Sequence, residues 1–223
     1  MTPNAPAADA RVVVFARAPE PGVVKTRLIP LLGANGAAAL QGILLDHVLT
    51  TAIAADIGTV ELWCAPSARH PLLSSFLQRH GINGVSQCDG DLGARMQHAA
   101  AATLAACARV IIIGADCPAL TTDVLRAAAA ALDAQHDAVL IPAEDGGYVL
   151  IGLNWWDARL FSDIAWGGDA VLASTRARLA ALKWRWCEMP ALWDVDRPAD
   201  LARLRASGLI RGLDSALAAT YRH

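Results

Sequence analysis

From residue 11 onward the chain alternates between two textures, and that alternation limits its possible folds more than any other feature. Short apolar runs rich in branched residues read as buried strands: Arg11–Ala16, Thr59–Cys64, Gly84–Cys88, Arg109–Gly114, Ala138–Pro142, Tyr148–Leu153 and, less sharply, Lys183–Met189. Between most of them lie alanine- and leucine-rich segments of helical length: Ala34–Ala55, Pro71–His80, Leu92–Ala106, Asp123–Ala134 and Asp169–Leu182. Strands that alternate with helices form βαβ units, and a mostly parallel sheet needs helices on both faces. The expected fold is therefore a three-layer α/β/α domain over residues 11–223, with Arg11–Ala16 and Arg109–Gly114 close together. Met1–Ala10, polar and proline-bearing, reads as a disordered N-terminal tail.

Composition narrows the function. A formal charge of -2 on 223 residues, with no run of arginines, gives no basic field for a nucleic-acid partner. The five cysteines are odd in number and hold no CxxC pair, which argues against a disulfide framework or a zinc ribbon and for a reducing compartment. Mean hydropathy is +0.35, yet the runs Ala99–Ala108 and Val110–Ile113 are too short for a membrane span. No basic segment followed by an apolar one opens the chain, so the expected location is the cytoplasm.

In open parallel sheets ligands bind beyond the carboxyl ends of the strands, so the loops that follow the strands carry the argument. After the first strand, Arg17–Leu28 is shaped by prolines and Gly22 and presents Lys25, Thr26 and Arg27 near a helix start. Clustered cations beside backbone amides suit a di- or triphosphate. The spacing is neither a Walker A loop nor a dinucleotide fingerprint. After the third strand, Gln87–Met96 offers Asp91 and Arg95 to a ribose or base, although Asp91 also suits a helix N-cap. Asp116 ends the apolar run Val110–Ile113, where an unpaired carboxylate would be costly; opposite a basic loop it is placed to hold Mg2+ or Mn2+ against phosphate oxygens.

Asp194 and Asp196 stand at i and i+2 in an extended segment, and either can add charge to such a metal site. Asp200 falls in a first helical turn and reads as structural. Asp145, with Gly146, Gly147 and Tyr148, links two strands; it fits a plain turn and equally an acceptor site in which a carboxylate serves as base.

Five segments in this order resemble a bacterial family of the nucleotide-diphospho-sugar transferase superfamily, which has the type-A glycosyltransferase fold. They are Pro19–Leu28, Gly90–Gly93, Gly114–Pro118, Asp145–Tyr148 and Asp194–Pro198, and they extend over nearly the whole chain. The chain is also similar to guanylyltransferases that activate 2-phospholactate. The resemblance implies that Asp116 and Asp196 hold the metal and that Arg17, Lys25 and Arg27 meet the phosphates. One departure bears on the reaction: Asp116 is followed by Cys117-Pro118, where many type-A glycosyltransferases carry Asp-x-Asp.

The expected function is metal-dependent transfer from a nucleotide-activated donor to a small acceptor, first as glycosyl transfer from a nucleotide-sugar. Nucleotidyl transfer from a triphosphate to a small phosphorylated acceptor is the alternative, and a non-catalytic nucleotide sensor is a third. The products separate the three.

Overall fold

The computed structural model describes residues 10–219. Of the expected N-terminal tail, residues 1–9 lie outside the described residues, whereas Ala10 already opens the first strand.

Among the described residues seven strands form one sheet: β1 (Ala10–Arg17), β2 (Gly58–Ala65), β3 (Asn83–Ser86), β4 (Arg109–Ile113), β5 (Ala138–Pro142), β6 (Tyr148–Leu153) and β7 (Trp186–Glu188). Their spatial order is β3-β2-β1-β4-β6-β5-β7. β1 pairs in parallel with β2 on one side and β4 on the other, with Val12 opposite Val60 and Ile111. β6 alone runs against its neighbours, since β4 and β5 both pair with it antiparallel. The cause is short connection length: residues 143–147 between β5 and β6 suffice for a hairpin but not for the dozen or more that a parallel crossover needs.

Side chains of one strand alternate between faces, and the helices divide accordingly. Val12 and Val14 pack with α1 (Ile29–Ala55), α2 (Pro71–His80) and α4 (Thr122–Asp133), through Leu45, Leu49, Leu73 and Leu125. Val13, Ile112 and Ile151 face the other way, toward α3 (Leu92–Leu104) and α5 (Val171–Ala181), meeting Met96, Ala99 and Leu179. A third cluster joins the start of α1 to Trp193, Val195, α6 (Pro198–Ser207) and α7 (Leu213–Ala219). The three-layer α/β/α arrangement is thus the one that the strand-helix alternation requires.

α1 begins before the expected Ala34 because one turn precedes a bend at Gly33, whose φ of 66° and ψ of 168° are non-helical. Among the described residues, one helix, 26–55, is long and apolar enough to cross a membrane by length and composition. Half of its apolar window is buried, and Leu44, Leu45 and Leu49 belong to the core, which accounts for its hydropathy. α7 has no counterpart in the sequence reading, and β3 and β7 are shorter than their apolar runs.

Candidate functional site

The carboxyl ends of β1 and β4 lie side by side, and here the strand order reverses direction along the sheet. Open sheets of this kind bind ligands at such a switch point, beyond the carboxyl ends of the strands. The loop after β1 turns at Gly22 (φ 80°) and is tied down where Ala18 N–H donates to Ala65 O at 2.8 Å. Lys25 is left-handed, with φ 46° and ψ 40°. That backbone costs a non-glycine residue about 1–2 kcal/mol. What it achieves is aim: the lysine side chain is 5% exposed, and Nζ donates to Asp116 Oδ2 at 2.8 Å. A buried ammonium needs such a partner. Thr26 and Arg27 follow in a 3-10 turn and are exposed, as is Arg17 at the end of β1. Arg27 Nη1 makes an ion pair with Asp196 Oδ2.

The segment around Val195 runs alongside Asp116, since Val195 N–H donates to Asp116 O at 3.0 Å and the valine side chain is fully buried. Its two acidic neighbours differ in setting. Asp194 and Asp196 both border a small pocket with Arg27, Glu144 and Asp145, but only Asp194 also lines the neighbouring main cavity with Asp116 and Asp145. Burial, and then the charges of Asp116 and Asp145, push the Asp194 carboxyl up to about 6, with its own backbone and Lys25 pulling it down. Asp200 accepts from the N–H groups of Asp196 (3.0 Å) and Arg197 (2.7 Å) and so fastens the start of α6, the structural part read for it. Arg203 clamps the same region: it pairs with Glu144 and stacks over Trp193. Among the described residues no group of three or more His, Cys, Asp or Glu side chains is arranged to hold a metal ion, and the carboxylates that line the cavity are Asp116, Asp145 and Asp194.

The main cavity has a volume of about 220 Å3. Asp116, Asp145 and Asp194 stand in its wall, and Phe15, Met96, Ile151, Tyr148 and Trp166 make up much of the remainder. Gly147 also lines it, held by a hydrogen bond from its N–H to Asp145 Oδ1 at 3.0 Å. Gly146 does not line the cavity. Its φ is 95° and its backbone abuts that of Asp169, a conformation and a proximity that exclude a larger residue. Tyr148 Oη faces Met96 Sδ at 3.7 Å, and burial raises its phenol above the ordinary range.

The remaining sequence candidates lie outside this cavity. Asp91 caps α3, accepting from Ala94 N–H at 2.8 Å. Arg95 is turned onto its own loop, with Nε donating to Gly90 O at 3.1 Å. Gln87, which the sequence did not single out, fastens the strand ends by donating to Trp63 O at 2.7 Å. Phe15, Met96 and Trp166 were also passed over. The signal that bore on them was the Gly167-Gly168 pair after Trp166, since both glycines line the cavity.

Solved structures similar in shape share this architecture. A candidate nucleotide-diphospho-sugar transferase from Desulfovibrio desulfuricans G20 superposes with a TM-score of 0.83 at 27% identity, over 96% of this chain and 98% of that one. CMP:2-keto-3-deoxy-manno-octonic acid synthetase, complexed with CTP, gives a TM-score of 0.59 at 13% identity over 90% of this chain and 98% of that one. Glucosyl-3-phosphoglycerate synthase from Mycobacterium tuberculosis, in complex with Mn2+, uridine diphosphate and glucosyl-3-phosphoglycerate, gives 0.54 at 12% identity over 96% and 80%. These likenesses establish the nucleotide-diphospho-sugar transferase fold. No protein of curated function matches the sequence. Residues 48–168, more than half of the chain and inclusive of Asp116 and Asp145, match a family model, and the chain belongs to that family, described as uncharacterized protein conserved in bacteria (DUF2064).

Proposed function

We propose that this chain is a metal-dependent transferase that takes its donor from a nucleotide-activated compound, in the first place a nucleotide-diphospho-sugar. The observation that carries the reading is the ion pair of buried Lys25 with half-buried Asp116 at the switch point, with Asp194 in the cavity that Asp116 lines and Arg27 nearby. Cations and carboxylates converge here from loops after three different elements. Lys25 and Arg27 would meet phosphate oxygens through charge-assisted hydrogen bonds. Asp116 and Asp194 fit a hard divalent ion: they line one cavity, and the upward push on Asp194, from burial first and then from the charges of Asp116 and Asp145, is one that a bound cation would relieve. When bound, Mg2+ or Mn2+ would supply neutralisation of charge on the departing phosphate. Asp145, exposed at the cavity mouth, is placed to accept a proton from an acceptor hydroxyl. The Mycobacterium tuberculosis relative crystallised with Mn2+ and uridine diphosphate supports the donor class.

Nucleotidyl transfer is the second reading. It is favoured by the sequence Asp116-Cys117-Pro118, which puts no second acid beside the first and leaves the neighbouring carboxylate to come from the distant segment at 194. A thermal-shift screen of nucleoside triphosphates and nucleotide-sugars, with and without Mg2+ or Mn2+, tests donor binding. Product analysis then decides the reaction. Release of a nucleoside diphosphate from a nucleotide-sugar supports glycosyl transfer, and pyrophosphate release supports nucleotidyl transfer. Binding without product would overturn the assignment as an enzyme.

A further inference from the structure

The cavity behind the three carboxylates has a wall chemistry of its own. Phe15, Met96, Ile112, Ile151, Trp166 and Val171 give it an apolar floor and sides, and among the described residues that line it there is no lysine, arginine or histidine. Lys25 reaches Asp116 from the side of the β1 loop and does not line the cavity. Tyr148 adds little polarity, since its hydroxyl is turned to Met96 Sδ. The polar side-chain groups of the lining are thus the carboxylates of Asp116, Asp145 and Asp194 and the indole N–H of Trp166, which has no hydrogen-bond partner among the described residues.

A nucleobase carries more ring nitrogens and exocyclic groups than these few side chains can pair, and each group left unpaired against the apolar walls costs binding. In the metal-free protein a phosphate or carboxylate would enter a chamber with no cation in its lining and three carboxylates in its wall, a juxtaposition worth several kcal/mol against it. With the proposed ion engaged by the donor's phosphates, Asp145 still faces the acceptor. An apolar body meets neither cost. An apolar cavity of about 150 Å3 accepts benzene, so about 220 Å3 suits a ring of roughly nine non-hydrogen atoms.

Resting on the transferase reading above, we infer that this cavity is the acceptor subsite and that its acceptor is a compact, uncharged alcohol with an apolar, ring-bearing body. The body fills the chamber between Met96, Ile151 and Trp166, and the hydroxyl is turned outward to Asp145. In glycosyl transfer the acceptor oxygen forms the new bond to the sugar, the bond from the sugar to the phosphate oxygen breaks, the hydroxyl proton passes to Asp145, and the nucleoside diphosphate leaves with the electron pair. A phosphorylated acceptor does not belong to this site.

Three probes on one skeleton test this: benzyl alcohol, benzyl phosphate and phenylacetate, each titrated against the full-length chain by tryptophan fluorescence and by ligand-observed NMR. The expected result is that the alcohol binds and that each anion binds at least about tenfold more weakly. Val171→Phe fills the chamber, and Leu92→Trp, at an exposed position on its rim, obstructs the mouth with little risk to folding. Either substitution is expected to weaken alcohol binding about tenfold or more while nucleotide affinity stays within about twofold. Asp145→Arg is expected to raise affinity for benzyl phosphate. Anions that bind as tightly as the alcohol, or alcohol binding that both blocking variants leave intact, would overturn the inference while nucleotide binding still stands. Loss of nucleotide binding in the parent protein would instead remove the transferase reading and leave an apolar-ligand site.

Discussion

Replacing Lys25 by methionine keeps most of the side-chain volume and removes one charge from the centre of the proposed donor site. Two consequences separate by magnitude. In the protein without ligand, Asp116 loses its 2.8 Å partner. A buried acceptor left unpaired costs about 1–3 kcal/mol, but the Asp116 side chain is 37% exposed, so solvent brings the expected loss toward about 1 kcal/mol. For a chain of this length that is roughly 2–4 °C in Tm. With nucleotide present, the lost charge-assisted contact to phosphate is worth about 1.5–3 kcal/mol, or roughly 10- to 150-fold in Kd. Thermal denaturation gives the first quantity, and calorimetric titration with the best nucleotide from the screen gives the second. Asp116→Asn supplies the control, because in the double variant the cost of the unpaired carboxylate vanishes while the phosphate contact is still absent. The expected outcome is a double variant near parental Tm that still binds nucleotide weakly. Parental affinity in Lys25→Met would refute the reasoning and leave Lys25 as an internal counterion to Asp116.

Other perturbations reach different parts of the structure. Asp194→Asn is expected to remove most of the metal-dependent thermal shift and Asp196→Asn much less, because only Asp194 shares the cavity with Asp116; equal losses in differential scanning fluorimetry would contradict that division. Gly146→Ala places a methyl against the Asp169 backbone in a left-handed conformation and is expected to cost about 1–3 kcal/mol in urea denaturation, with an unchanged midpoint as the contrary result. Leu44→Ala, at a fully buried position in α1, is expected to lower stability by about 2–5 kcal/mol while leaving nucleotide affinity unaltered.

The two textures of the sequence place the core strands and most of the helices because each needs only local information: a short branched run is buried on two faces, and a long alanine-leucine segment covers it. Asp116 was legible for a related reason, as a charge at the end of Val110–Ile113 that asks for a partner. That the partner is Lys25, 91 positions away, follows from β4 docking beside β1, which the alternation implies without fixing the atoms. The choice between Asp194 and Asp196 was not legible. In the structure Asp194 lines the cavity with Asp116 whereas Asp196 pairs with Arg27, and spacing carries no record of that difference in setting. Phe15, Met96 and Trp166 were hidden because an apolar residue facing a cavity has the same sequence spacing as one facing the core. α7 escaped because its buried residues, Leu213 and Leu217, amount to a single helical repeat.

The reversed strand β6 bears on how a family built on this frame can change its chemistry. In a purely parallel sheet each loop at the carboxyl edge leads into a helix, so altering it shifts a layer of packing. Here the turn at 143–147 passes directly from β5 to β6 and carries Asp145 and Gly147 at the cavity. Lengthening or recolouring that turn redraws one wall of the chamber while both helical layers stay anchored. Selectivity in this architecture can therefore drift by edits at Asp145, while Glu144 remains paired with Arg203 and Gly146 remains held against the Asp169 backbone.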